Sequence, residues 1–269
     1  MGHLYALDFD GVICDSCGES SLSGLKAAKI RYPELLAGLD AATETWILDC
    51  MRTVRPVVET GYENILLVRL LLEIKAPHLR QSSVAEKLSV ESILADWEHG
   101  IKPVVMKEWN ENKEELVELY GKVRDDWIEH DLHGWIGANR FYPGIADSLK
   151  FSSSTLFIVT TKQARFTSAL LKELGGVDFP MDHIYGLGSG PKVEVLKQLQ
   201  ERAEHEGLTL HFVEDRFATL RTVNKTPALD KWNLYLATWG YNTSNEREEA
   251  RGISRIQVVD LPDFCAKLK

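Results

Sequence analysis

The sequence predicts an α/β fold: a doubly wound, mostly parallel sheet carrying a large all-helical insertion. Three observations lead there. Residues 4–9 form a short apolar run that ends abruptly in Asp8, Asp10 and Gly11, the mark of a buried parallel strand that delivers acids to a site. From about residue 19 to 135 strand signals vanish, and apolar residues recur at three- and four-residue spacing. Beyond Phe141-Tyr142-Pro143-Gly144 short strands alternate with helices, the pattern of a parallel sheet with helices on its faces. The expected organisation is a split core, residues 1–18 and 139–269, with a helical domain over 19–138.

Each element has its own signal. In the insertion, Ile65, Leu66, Val68, Leu70, Leu72 and Ile74 mark one amphipathic helix. Trp109, Leu116, Leu119, Val123 and Trp127 mark a second, long one, whose solvated face carries Lys113, Glu114, Glu115 and Glu118. In the core, 156–159 reads as a strand, followed by a helix over 164–174 that stops at Gly175-Gly176. A short strand at 184–186 precedes a helix over 192–206. Strands at 210–213, 233–237 and 255–259 complete the series. In open sheets of this kind ligands bind beyond the carboxyl ends of the strands. An insertion leaving from the end of the first strand is expected to act as a cap there.

Bulk composition narrows the function. Of 269 residues, 44% are hydrophobic and 26% charged, and the formal net charge is -9, so a basic face for nucleic acid is not expected. No apolar run approaches the roughly 18 residues that span a bilayer, and no membrane partner is expected. The N-terminal run reads as a strand and not as a signal peptide. Four cysteines are too few for a disulfide scaffold at this length, which points to a reducing compartment, the cytoplasm or an organelle matrix.

The strand ends hold the chemistry. The first offers Asp8 and Asp10, the second Thr160 and Thr161, and a later strand Glu214 and Asp215; a helix start offers Lys192 after Gly188-Ser189-Gly190-Pro191. Four carboxylates in one cleft repel, by roughly 4 kcal/mol for a pair about 4 Å apart at an effective dielectric near 20. A divalent cation compensates them, and an all-oxygen site suits Mg²⁺. With that cation, Lys192 and Thr160 in place, the acidic cleft becomes a receptor for a phosphate group on a small metabolite.

These residues resemble the motifs of the haloacid dehalogenase-like hydrolases, in particular phosphatases with a helical cap after the first motif. Residues Asp8-Phe9-Asp10-Gly11-Val12-Ile13-Cys14-Asp15 match its D-x-D-G-[VL]-x-x-[DS] pattern. Ile158-Val159-Thr160-Thr161-Lys162, Lys192 and Phe212-Val213-Glu214-Asp215 resemble the three that follow, and Phe141-Tyr142-Pro143-Gly144-Ile145 is similar to the return from cap to core in phosphoglycolate-phosphatase-like members. The resemblance implies Asp8 as a nucleophile forming an aspartyl-phosphate and Asp10 as general acid and base. It implies that Thr160, Thr161 and Lys192 bind the phosphate, and that Asp8, Glu214, Asp215 and the main-chain carbonyl of Asp10 hold Mg²⁺. Because Asp10 is a carboxylate, the resemblance favours ester hydrolysis over carbon–halogen or carbon–phosphorus cleavage. A phosphosugar mutase and a catalytically silent binding protein are the alternatives. One departure is clear: after the acidic pair, where relatives carry a small residue and a Gly-containing turn, this chain has Arg216-Phe217-Ala218.

Other groups have two readings each. In the insertion Arg55, Glu59 and Tyr62 either grip the substrate or are ordinary helix-face residues. Cys14 and Cys17 form a C-x-x-C, read as small residues in a tight turn in preference to a redox pair. His130 and His133, three apart on an expected helix, read as surface histidines in preference to metal ligands, and Asn242-Thr243-Ser244 fits a glycosylation pattern with no expected role.

Overall fold

The computed structural model describes residues 2–268. Six strands form one parallel sheet in the order β5-β4-β1-β6-β7-β8: β1 His3–Leu7, β4 Thr155–Val159, β5 Ile184–Tyr185, β6 Thr209–Glu214, β7 Trp232–Ala237 and β8 Ile256–Val259. The other two strands, β2 Cys14–Asp15 and β3 Arg140–Phe141, form a small antiparallel pair. The chain divides into two compact units, one comprising residues 1–15 and 140–269, the other 16–139. The division falls at the β2–β3 pair because a helix, Cys17–Arg31, starts immediately after β2.

In the first unit, alternation along the strands sorts side chains onto two faces. Leu4 and Ala6 of β1, Phe157 and Val159 of β4, Phe212 of β6, and Leu234 and Leu236 of β7 pack against Val195, Leu196 and Leu199 of the helix Lys192–Gln200 and Phe217 and Leu220 of the helix Phe217–Asn224. The opposite face is partly polar. Tyr5 stacks on His211 at 4.3 Å between ring centroids; His211 lies 3.0 Å from His3 and 3.0 Å from the Tyr235 hydroxyl. The Tyr5 hydroxyl donates to the Lys267 carbonyl in the helix Leu261–Leu268.

Burial, with the neighbouring His3 and Lys267, pulls His211 down to about 4. A histidine held neutral in the fold but free to protonate when unfolded stabilises the protein above its unfolded pKa near 6.5. That stability is lost as pH falls from about 6.5 toward 4. We expect a loss of about 2 kcal/mol across this window, below the full ~1.4 kcal/mol per unit because water reaches His3 beside it. Urea unfolding at pH 7.5 and 5.0 checks this, and a His211→Gln variant should lose that component of the slope.

The second unit is all-helical among the described residues. Its core gathers Leu25, Ala28, Ile47, Met51, Ile65, Leu66, Leu70, Trp97 and Leu116 around the fully apolar face of the helix Glu63–Lys75. The expected long helix does not begin at Trp109. A helix ends at Glu108, Asn110 turns into the left-handed region at φ 52, and Asn112 caps a new helix, Lys113–Gly137, by accepting from the Glu115 amide. Residues of both helices face the same core, which gives the sequence one continuous periodicity across a break. This new helix kinks at Asp131, with φ -154 and ψ 69, and Asp131 accepts from the Gly134 amide. The kink separates His130 from His133, so the two do not share a regular helical face.

The helix expected over 192–206 is shorter, ending at Gln200 before a 3-10 turn at Ala203–His205. Among the described residues, no helix is long and apolar enough to cross a membrane.

Candidate active site

The central strand β1 has β4 on one side and β6 on the other. Their carboxyl ends bring Asp8, Thr160 and Glu214 side by side. The chain builds the sheet outward from β1 in both directions, so this is the topological switch point where an open sheet leaves a crevice.

Asp8 follows β1 directly, is 6% exposed, and donates its amide to the Val213 carbonyl. Its Oδ1 accepts from the Phe9 amide at 2.8 Å and lies 3.0 Å from Lys192 Nζ. The same ammonium donates to Glu214 Oε2 at 2.7 Å. Glu214 is fully buried and accepts the amides of Asp215 and Arg216 on Oε1. Oxygens of Asp8, Glu214 and Asp215 lie within 4.8 Å of one another, the one such cluster among the described residues.

The electrostatics follow from that crowding. Burial, then the Glu214 carboxylate, push Asp8 up to about 7, against the opposing pull of Lys192. Glu214 is also raised, by burial in the first place. Burial alone would lower Lys192, but Asp8 and Glu214 override it and hold the ammonium above its ordinary value. The Lys192 ammonium is thus shared between Asp8 and Glu214.

Two glycines make room for Asp215. Gly11 has φ +86, and a Cβ there would fall 2.0 Å from Asp215 Oδ2. A Cβ on Gly240 would lie 2.3 Å from Asp215 Cβ. Asp215 Oδ2 accepts from the Tyr241 amide at 2.7 Å, and its carbonyl accepts from the Asn242 side chain at 2.9 Å. The loop after β7, Trp239 to Thr243, therefore braces the acid from behind. Tyr241 also donates through its hydroxyl to Asp15 at 2.7 Å. At the departure noted in the sequence, the Arg216 amide donates to Glu214 and the residue precedes the helix Phe217–Asn224. The acidic pair keeps its place without the small residue.

The donor set fits a hard divalent cation: three buried carboxylates, all oxygen. Asp8, Glu214 and Asp215 are the residues that can hold it.

Thr160 follows β4 directly, and its amide donates to the Tyr185 carbonyl. Its hydroxyl accepts from the Lys162 amide at 3.1 Å, and Thr161 follows in the same turn. Asp10 leaves the β1 loop, where an isolated bridge joins it to Cys14, and pairs with Lys162, whose Nζ stands 3.1 and 3.5 Å from its two oxygens. Lys162 stands inside a motif recognised in the sequence but is not singled out there; a lysine just past a strand reads as solvent-facing. Its place beside Asp10 follows from β4 pairing with β1, which no local signal announces.

Arg55, Glu59 and Tyr62 belong to the helical unit. Arg55 is buried in the helical unit and donates to the Val58 carbonyl; Tyr62 is buried at the start of the helix Glu63–Lys75; the Glu59 amide donates to Glu63. Cys14 and Cys17 are both buried, and Cys17 Sγ lies 3.8 Å from Ser21 Oγ. His130 accepts or donates at its own helix, 2.7 Å from the Asp126 carbonyl.

No family model and no curated protein sequence matches this chain. Solved structures do. A protein from Lactobacillus delbrueckii subsp. bulgaricus assigned as a phosphoglycolate phosphatase aligns over 99% of this chain and 97% of its own, with 14% identity and a TM-score of 0.54. A Bacteroides fragilis protein assigned as a haloacid dehalogenase-like hydrolase aligns over 98% and 100%, with 16% identity and a TM-score of 0.55. A haloacid dehalogenase-like family hydrolase from Streptococcus pneumoniae aligns over 100% and 99%, with 16% identity and a TM-score of 0.53. At such identities the likeness shows the fold, which is that of the haloacid dehalogenase-like hydrolases.

Proposed function

We propose that this haloacid dehalogenase-like chain is a phosphatase that needs Mg²⁺ and hydrolyses a small phosphomonoester through a phosphorylated Asp8. The observation that carries the reading is the position of Asp8: a buried carboxylate beside Lys192 and within one cation's reach of Glu214 and Asp215, with a second acid two residues on.

Bound among these carboxylates, Mg²⁺ would offset their repulsion and share the charge of the phosphoryl group. The chain's own residues do the rest. An oxygen of ionised Asp8 attacks phosphorus, and the bond from phosphorus to the ester oxygen breaks. Asp10 gives its proton to the departing alkoxide. Asp10 then takes a proton from water as that water attacks the aspartyl-phosphate, releasing inorganic phosphate and restoring Asp8. Lys192, with the hydroxyl groups of Thr160 and Thr161, holds the phosphoryl oxygens and stabilises the charge that develops there.

The test is phosphate release from a panel of phosphorylated metabolites, with Mg²⁺ and with EDTA. Turnover that collapses on chelation and returns with added Mg²⁺ is expected, and the best substrate names the pathway step. Absence of Mg²⁺-dependent phosphate release across alkyl, sugar and acyl phosphates would sink the reading.

A further inference from the structure

We infer that Lys162 is a positioning residue that holds the general acid Asp10 in place, an inference that rests on the phosphatase reading. Placing an ammonium out of water is costly unless a partner offsets it. Lys162 is nonetheless buried, its side chain 1% exposed, while the Asp10 side chain it meets is 17% exposed. The lysine therefore stands on the protein side of the carboxylate, touching both oxygens at 3.1 and 3.5 Å. A side chain so enclosed is poorly placed to meet a substrate itself.

The lysine's own backbone is fixed. Its amide donates to Thr160 Oγ1 at 3.1 Å, and its carbonyl accepts from the Leu187 amide at 2.9 Å. Gly186 lets that loop press in, since a Cβ there would lie 2.7 Å from the Lys162 carbonyl and 2.6 Å from the Ala164 amide. The loop after β5 thus clamps the turn after β4, and that turn aims an ammonium at the acid that follows β1. Asp10 sits in the loop after β1, and the Lys162 ammonium against both its oxygens fixes the direction of its carboxylate. Without it the carboxyl group would sample rotamers that miss the leaving oxygen, and misplacement of about 1 Å is enough to cost a large factor in rate.

A general acid matters in proportion to how badly the leaving group needs a proton. An alkoxide needs one; p-nitrophenolate does not. Lys162→Met should therefore lower kcat/KM for an alkyl phosphate by about 100-fold, the lower range for loss of general acid catalysis. For p-nitrophenyl phosphate the fall should stay below about 5-fold, because no proton transfer is lost. Asp10→Asn should show the same split. The parameter must be kcat/KM, which reports the step that expels the leaving group; kcat also contains the water attack, which is common to both esters.

The measurement uses the full chain with Mg²⁺, with folding checked by thermal unfolding. Should Lys162→Met fail to fold, Lys162→Leu, which likewise removes the donor to Asp10, carries the same comparison. A loss equal for both esters would make Lys162 a binding or folding residue and overturn the inference, as would no loss for either. Wild-type protein that releases no phosphate from either ester would instead sink the phosphatase reading itself.

Discussion

Asp8→Asn should lose catalysis by roughly 10⁴-fold or more, as removal of a nucleophile does elsewhere, and yet unfold at a higher temperature than the wild type when metal is absent. The two effects have one cause. In the fold Asp8 is pushed up to about 7 by burial and by Glu214, whereas an unfolded aspartate titrates near 3.9. A raised folded pKa means the native state holds a proton that the unfolded state releases. The stability this carries is fully present below the unfolded pKa and is lost as pH rises from about 4 to 7. At pH 8 the metal-free wild type therefore carries a buried charge that the asparagine variant does not. The difference is of order 4 kcal/mol at ~1.4 kcal/mol per pH unit, or roughly 8–15 °C in the unfolding temperature of the α/β unit. At pH 4 the two proteins should nearly coincide.

Added Mg²⁺ should reverse the order. A cation that binds only the folded state stabilises it by mass action, and the wild type offers one carboxylate more. Thermal unfolding of both proteins at pH 8, with and without Mg²⁺, tests the donor set without any substrate. A variant no more stable than the wild type in EDTA would mean that Lys192, 3.0 Å from Asp8, already neutralises the cluster.

The site was legible in the sequence wherever a strand end met a polar group. Asp8, Thr160 and Glu214 each follow an apolar run, and strand ends in a parallel sheet converge, so local pattern alone placed them together. Lys162 was not legible, because its environment is made by a strand 150 residues distant in the chain. The loop after β7 escaped for the same reason: Gly240 and Tyr241 matter through Asp215, and only the order β6-β7 brings them there. The helical unit was read less well for a different reason. Periodicity reports which side chains face a core, and it does not register a change of helix between Trp109 and Lys113 when both helices face the same core. A sharper signal was present in Asn112 and Glu115, a capping residue three before a glutamate.

Within the helical unit, Arg124→Met should cost about 3–5 kcal/mol of stability, the range for removing one partner of a buried ion pair. Glu19 is fully buried on the helix Cys17–Arg31. Arg124, on the helix Lys113–Gly137, meets it with two bonds, Nε to Oε1 at 2.6 Å and Nη2 to Oε2 at 2.8 Å. Ser23 adds a donor to Oε1 at 2.7 Å. The guanidinium also lies over the Tyr120 ring at 4.4 Å, and the Tyr120 hydroxyl donates to the Ser20 carbonyl. Such a fork is strong because both bonds are charge-assisted and parallel, but taking both charges out of water offsets most of that gain. The asymmetry decides the outcome. Losing the arginine leaves the Glu19 charge in the interior without its guanidinium, whereas Glu19→Met combined with Arg124→Met removes both charges and should recover most of the loss. Urea unfolding of the two single variants and the double one, followed by a probe of helical content, gives the coupling energy directly. A coupling below about 1 kcal/mol would put this pair in the class of exposed surface bridges, and the buried network would then not be what joins these two helices.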